Sequence, residues 1–381
     1  MITTISGHYP DHPSDRRRLQ MPQRLHCTAP KILSWVTYEE PELAADQVRV
    51  VAEQACAKHG TEMAFYKGYA FERGPWNNTF KLHEAAEGSM EDHYPFHIGN
   101  MYAGRVVARG AAVSELQIGD RVVGYGGFAE THTSRASDLL PLPEGMSWQA
   151  AMCFDPAQFA LGAVRDGHIR PGDRVAVFSL GAIGLITAQC VKLAGAADII
   201  AIDPIPRRRE LAEQLTGCTS LDPTQGDVGK QLKELTGGMG PDVIIDFSGR
   251  REAIQAALRG IAFGGTVVLG AYPPPMDGGL DLGAEAHMNT PKLVFSRACS
   301  EPNPDHPRWG WKRINDTAWR FLAEGSISGD GIVEPVVPFD QLEQAYHEMA
   351  AHPERTVKLG TVYPGAAALI AEYAAETAGS R

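Results

Sequence analysis

The segment 174–203 constrains this chain more than any other. It reads RVAVFS, then LGAIG, then LITAQCVKLAGA, then DIIAID. An apolar run of strand length enters a glycine turn, an apolar helix leaves it, and a second strand ends on an acid. A helix that starts directly after a strand presents its unpaired first N–H groups, and the positive end of its dipole, at the sheet's edge. Further strand-like runs follow at 242–248 (DVIIDFS) and 265–272 (GTVVLGAY), with helical segments at 206–217, 227–236 and 251–260. Strands alternating with helices specify a parallel sheet covered on both faces.

The turn Ser179-Leu180-Gly181-Ala182-Ile183-Gly184 suits a dinucleotide pyrophosphate. Gly181 permits close backbone approach to phosphates, Gly184 permits the helix to pack on the strand, and the helix start offers N–H donors to an anion. Ser179 stands at the usual first glycine, so the fingerprint is incomplete. Asp203 lies 22 residues past Gly181. An acid at that distance accepts hydrogen bonds from a ribose, although a helix cap is its ordinary alternative. A carboxylate there repels a 2′-phosphate and favours NAD. Arg207, Arg208 and Arg209 leave NADP open, since they either pair with a phosphate or form a solvated first helical turn.

Composition bounds the rest. The 381 residues suggest two domains, and the net charge of −11 argues against nucleic acid or an anionic membrane as partner. The six cysteines form no CxxC pair and no disulfide ladder, which predicts a reduced, cytoplasmic chain without structural zinc. No apolar run approaches the ~20 residues that span a bilayer. Residues 1–20 show no apolar leader core and are expected to be a loosely ordered extension. Up to about residue 150 short strands prevail, among them a run in which Val48, Val50 and Ala52 alternate with polar neighbours. SWQAAMCFDPAQFALGAVRDG (147–167) then predicts a helix capped by Ser147, with others at 314–324, 340–351 and the tail.

With these landmarks in order, the sequence resembles the medium-chain dehydrogenase/reductase superfamily, its zinc alcohol and polyol dehydrogenase branch in particular. GTEMAFYKG (60–68), PFHIGNMYAGRVVARGAAV (95–113), GDRVVGYGGFAE (119–130), FDPAQFALGAV (154–164), PGDRVAVFSLGAIG (171–184), DVIIDFSG (242–249), GGTVVLGAY (264–272) and TVKLGTV (356–362) carry the resemblance across roughly residues 30–362. It implies an α/β chain: a GroES-like β-barrel catalytic domain (21–157 and 304–381) interrupted by a Rossmann domain (158–303). It also implies Arg208 at the ribose, Ser248, Gly249, Gly270 and Ala271 beside a nicotinamide, and Lys358 at the pyrophosphate. The alternative for Lys358 is a solvated strand lysine. Relatives form homodimers or homotetramers.

The departures concern the metal. His59 falls where zinc-dependent members place a cysteine ligand, Asn100 where they place histidine, and Asp155 before Pro156 where polyol dehydrogenases place glutamate. An amide oxygen is a weak zinc donor. The expectation is therefore no zinc, with a residual metal on His59 and Asp155 as the alternative, and the HGTE stretch is similar to a zinc-free subset that includes bacteriochlorophyllide alcohol dehydrogenases. Without zinc a positioned base must take the hydroxyl proton. His59 is the first candidate, with Lys58 as substitute or carbonyl polariser, Thr61 as relay and Asp155 as the acid that orients the base. A surface turn for His59 and a helix cap for Asp155 are the ordinary alternatives.

A polar, aromatic insertion at 69–97 is too long for a plain connection and reads as a functional loop or lid. Trp76 and Tyr94 there, with Trp309 and Asn100, are the candidate substrate contacts. Aromatics beside Asn, Asp and His suit a sugar or polyol, a flat apolar substrate, or a subunit interface. The expected function is zinc-independent NAD(P)-dependent interconversion of a sugar-like secondary alcohol and its ketone. The alternatives are an NADPH-dependent enoyl or quinone reductase and a non-catalytic cofactor-binding protein.

Overall fold

The computed structural model describes residues 21–85, 90–301, 303 and 307–379. The extension at 1–20 lies outside the described residues. The chain opens with the hairpin β1 (Gln23–Ala29) and β2 (Ile32–Thr37), followed by β3 (Gln47–Cys56) and helix α1 (His59–Tyr66). The insertion is not structureless. It holds 3₁₀ turns at Tyr69–Glu72 and Met90–His93, the short hairpin β4 (Trp76–Asn77) and β5 (Leu82–His83), and β6 (Phe96–His97), which joins β1. Then come β7 (Met101–Arg109), β8 (Arg121–Tyr125), β9 (Thr131–Arg135) and β10 (Leu140–Pro141).

Helices α2 (Trp148–Ala151) and α3 (Phe154–Asp166) divide what the sequence predicts as one helix. Pro156 lacks the N–H that would continue the α2 ladder but fits the first turn of a new helix. Ser147 caps α2 as expected, its hydroxyl accepting from Ala150 N at 3.1 Å.

The second domain runs β11 (Arg174–Phe178), α4 (Ala182–Leu193), β12 (Asp198–Ile202), α5 (Pro206–Thr216), β13 (Thr219–Leu221), α6 (Val228–Leu235), β14 (Val243–Asp246), α7 (Arg251–Gly260), β15 (Thr266–Leu269), α8 (Glu285–Asn289) and β16 (Lys292–Phe295). Its six strands are parallel, in the order β13-β12-β11-β14-β15-β16. Val175, Ala176, Val177 and Phe178 are all buried, as two covered faces require.

The chain then forms α9 (Trp311–Ala323), which packs on α2 and α3, β17 (Val336–Pro338), α10 (Leu342–Ala351), β18 (Gly360–Val362) and α11 (Ala366–Gly379). The returning β18 and β17 complete the first sheet in the order β10-β8-β7-β3-β18-β17, with β9 also paired to β3. Val48, Val50 and Ala52 are buried as their alternation predicts. Val51 is buried too, because register shifts at 49/50 and 52/54 break the alternation and α11 packs across β3 and β7. Among the described residues no helix is long and apolar enough to cross a membrane.

Candidate active site

The glycine turn is built from backbone geometry. Ser179 holds the left-handed conformation, φ 72°, that the usual first glycine would adopt. A Cβ on Gly184 would stand 1.8 Å from the Ser179 carbonyl oxygen, so only glycine lets α4 start this close to β11. A Cβ on Gly181 would meet nothing within 4 Å. That open side, at the N-terminus of a twelve-residue helix, is where an anion can approach the first N–H groups, Ala182 and Ile183 among them. Asp203 is 2% exposed and ties the turn to the end of β12: Oδ2 accepts from Leu180 N at 2.7 Å and Oδ1 from Ile205 N at 2.9 Å. Arg208 lies beside it, Nη1 to Oδ2 3.8 Å, and donates from Nη2 to the Pro353 and Thr356 carbonyls. Arg207 pairs with Glu334, and Arg209 with Asp222 and the Asp203 carbonyl.

Two further strand ends meet at the same side of the sheet. Asp246 is buried, and its carboxylate accepts from Ser248 N, Ser248 Oγ and Gly249 N. Burial pushes this carboxyl upward, and those three donors pull it back. A Cβ on Gly249 would lie 3.0 Å from the Ala271 Cβ, and one on Gly270 would lie 2.4 Å from the Phe247 ring. The loops after β14 and β15 thus need glycine to pack together. The insertion reaches this corner: Arg73 donates to the Pro273 carbonyl at 2.5 Å and stacks 4.6 Å over Tyr272.

The second centre forms where β3, β7 and β8 end against the start of α3. Met101 pairs with both Cys56 and Tyr125 across the sheet. Asn100 N donates to the Cys56 carbonyl at 2.8 Å, and Gly126 N to the Asn100 carbonyl at 3.0 Å. Lys58, just past β3, brings Nζ to 2.8 Å from Asp155 Oδ1 in the first turn of α3. Its side chain is 28% exposed and that of Asp155 only 6%, so the pair has a wet side and a dry side. Lys58 also sits 4.9 Å over the Phe159 ring. Tyr125 donates to Gln158 Oε1 at 2.8 Å, while Gln158 Nε2 and Asn100 Nδ2 are buried without a partner. Thr61 is half-buried in α1. His59 opens α1, but its side chain lies outside the described residues.

Glu62 braces this centre. Oε1 accepts from Tyr346 of α10 at 2.6 Å and Oε2 from Gly99 N at 2.8 Å. Burial, partly offset by those donors, raises its carboxyl to about 7.

Three further expected residues have these surroundings. Lys358 is 2% exposed, so it is not a solvated strand lysine, and its Nζ donates to the Ala57 carbonyl at 2.7 Å. Trp309 is sandwiched between Arg165 and Arg313, at 3.7 and 4.3 Å, over a small cluster with Leu161, Ala298 and Ile314. Tyr94 packs its ring on Phe71 and Phe96 and donates to the Phe65 carbonyl, so it holds the insertion to α1. Trp76 lies on the β4–β5 hairpin, half-exposed and edge-on to His83. Gln158 belongs to no motif, although it follows Asp155 by three residues and so shares its helix face. Tyr125, Glu62 and the Arg73 contact likewise carry no sequence signal of their own.

A parallel-sheet nucleotide fold joined to a β-domain, with polar side chains gathered at the junction, defines an oxidoreductase of the two-domain dehydrogenase type. Residues 46–144 match the alcohol dehydrogenase GroES-like domain, and residues 182–301 match the zinc-binding dehydrogenase domain. The chain is 40% identical over 349 residues to the D-guloside 3-dehydrogenase of Escherichia coli (strain K12), covering 90% of this chain and 100% of that protein. Its fold is similar to that of 2R,3R-butanediol dehydrogenase from Bacillus subtilis, with TM-score 0.71 at 22% identity, covering 90% of this chain and 99% of the other. It is equally similar, TM-score 0.71 at 21% identity over 90% and 100% of the two chains, to a putative zinc-binding dehydrogenase from Sinorhizobium meliloti 1021 bound to NADP. The protein belongs to the medium-chain dehydrogenase/reductase superfamily. It is an alcohol or polyol dehydrogenase.

Proposed function

We propose that this enzyme oxidises a secondary hydroxyl of a sugar-type substrate with NAD and without zinc, and reduces the matching ketone in reverse. The observation that carries the zinc-free reading is the 2.8 Å pair between Lys58 Nζ and Asp155 Oδ1. An ammonium holds the carboxylate that stands at the third ligand position, and the second position offers an amide. Such a set does not suit Zn²⁺.

The turn fits a dinucleotide, and when bound a nicotinamide accepts hydride from the carbinol carbon. Everything else is the work of this chain. Gly181, Ala182 and Ile183 present N–H groups to the pyrophosphate, and Asp203 faces the ribose. NAD is favoured over NADP because all three arginines after Asp203 already have partners. Lys58, on the wet side of its pair, donates to the substrate oxygen and stabilises the charge that develops as the proton leaves. His59 and Thr61, at the start of α1, carry that proton away. Asp155 fixes Lys58. Asn100 and Trp76 stand on the substrate side.

The name of the 40% identical relative supports a hexoside as substrate class and a ring hydroxyl as the reacting group. It weighs against the enoyl or quinone reductase and the non-catalytic alternatives. All six cysteines are free, four of them buried, which supports a reducing, cytoplasmic setting. The open edge of β16, with Phe295 79% exposed, supports a homodimer or homotetramer.

Turnover of methyl D-guloside with NAD⁺ and NADP⁺ by protein purified without chelator, together with its metal content, tests this reading. NAD⁺ preference with substoichiometric zinc is expected. Lys58→Met should lower kcat by ~10²–10³. Stoichiometric zinc, with activity lost on chelation, would overturn it.

A further inference from the structure

The two ends of the site are joined by a short stretch of the returning chain. Arg208 lies in the first turn of α5, and its side chain is only 13% exposed. Nη1 stands 3.8 Å from Asp203 Oδ2, the acid assigned above to the ribose. Nη2 crosses to the first domain and donates to the Pro353 and Thr356 carbonyls at 2.8 and 2.7 Å. Both carbonyls lie between α10 and β18. From Thr356 the chain runs directly into the other centre. Val357 N and Lys358 N both donate to the Glu334 carbonyl, at 3.0 and 3.2 Å. Lys358 Nζ donates to the Ala57 carbonyl at 2.7 Å, and Ala57 N donates back to the Leu359 carbonyl at 2.9 Å. The next residue is Lys58, whose Nζ holds Asp155 Oδ1 at 2.8 Å.

The stretch 356–359 is thus a rod gripped by a cation at each end. Arg208 holds it from the second domain, and Lys358 fixes the backbone that carries Lys58. The Arg207–Glu334 pair grips the same stretch from outside, but both side chains are half-exposed and such a pair contributes little. A buried cation costs more than an apolar side chain of similar size, and Arg208 also carries a buried Nε without a partner. Stability alone therefore does not account for this guanidinium.

We propose that Arg208 is a positioning residue of the reaction: through the stretch 356–359 and Lys358 it holds Lys58 in register with a cofactor seated against Asp203. This rests on the reading that places Lys58 at the substrate oxygen. Arg208 touches none of the reacting atoms and transfers no proton. It acts through backbone, and a shift of about 1 Å in a reacting group is enough to cost ~10²-fold in rate.

Arg208→Met and Arg208→Lys test this with methyl D-guloside and NAD⁺. In Arg208→Met, kcat at saturating NAD⁺ should fall ~10-fold, and KM for NAD⁺ should rise ~10-fold. Arg208→Lys keeps a cation beside Asp203, but an ammonium lacks the rigid fork that spans a carboxylate and two carbonyls. Its KM for NAD⁺ should return to within about threefold of wild type while kcat stays low. Unchanged kcat at saturation in Arg208→Met overturns the proposal and leaves Arg208 a ribose contact. So does full recovery of kcat in Arg208→Lys, since charge alone would then suffice.

Amide hydrogen exchange reads the link without turnover. In Arg208→Met the amides of Ala57, Val357 and Lys358 should exchange about tenfold faster or more, while those of β11 and β12 keep their protection. Arg208→Lys takes its place if Arg208→Met does not fold. Wild-type exchange at Ala57 overturns the link. Protection lost equally in β11 and β12 also overturns it, because Arg208 would then serve only the fold of its own domain. A wild type inert toward hexosides and polyols overturns the proposed function, and the exchange rates still decide whether Arg208 holds the Lys58 backbone.

Discussion

The glycine turn and the Asp155 centre are built from opposite materials. At the turn the backbone does the chemistry: Ser179 at φ 72°, an unobstructed Gly181, and a Gly184 pressed to 1.8 Å from a carbonyl oxygen if given a Cβ. At the centre side chains do it, and they arrive from 58, 125, 155 and 158. The turn is contiguous and tolerates almost no change of shape. The centre is assembled across the whole chain and has exchanged residue types at the metal positions while the fold around it persists. A site made of backbone is fixed by sterics, whereas a site made of side chains depends on contacts that the whole fold must bring together.

The largest effect should come from Gly184→Val. Its side chain cannot coexist with the Ser179 carbonyl, so α4 must shift. NADH affinity should fall by ~10²-fold or more, with a stability loss of about 3 kcal/mol. Gly181→Ala, whose Cβ meets open space, should keep the melting temperature and weaken NADH alone. If fluorescence titration and thermal melts rank the two alike, the contrast between a packing glycine and an approach glycine is wrong.

That contrast also accounts for what the sequence discloses. The strand-turn-helix-strand unit is local, so β11, α4, β12 and Asp203 lie where the pattern predicts. The carboxylate's bond to Leu180 N is a backbone matter and follows from the same spacing. Lys358 shows the opposite case. Its bond to the Ala57 carbonyl depends on β18 pairing with β3, a contact between residues 360 and 56 that no local spacing records. Trp309 was legible as an aromatic but not as the filling between Arg165 and Arg313, because Arg165 is far away in sequence. β16 escaped notice since KLVF is short, and β1 since it precedes the first clear alternation.

The second effect is electrostatic and global. Glu62 is buried, and its carboxyl lies near 7 in the folded protein against about 4.5 in an unfolded chain. Between those values the folded state binds more protons, so stability falls as pH rises from 4.5 to 7 and levels off above. The span of about 2.5 units corresponds to roughly 3 kcal/mol for this one group. Urea midpoints of wild type should therefore decline across this window more steeply than those of Glu62→Gln, whose side chain does not titrate. Parallel slopes would show that Tyr346 and Gly99 hold the carboxylate ionised throughout.

The smallest effect probes the join between the two regions. Arg73 belongs to the insertion of the first domain, and its partners, Tyr272 and Pro273, belong to the loop after β15. A cation over an aromatic ring and one hydrogen bond to a carbonyl together contribute about 1–2 kcal/mol when partly desolvated. Arg73→Ala removes both without touching the glycine turn or the Lys58–Asp155 pair. If the contact closes the insertion over bound substrate, KM for methyl D-guloside should rise about five- to tenfold with kcat and NADH affinity nearly unchanged. A fall in kcat at constant KM would instead mean that the insertion aligns the reacting groups, and the two regions would then be coupled through the Arg73 contact as well as through their shared junction at α3.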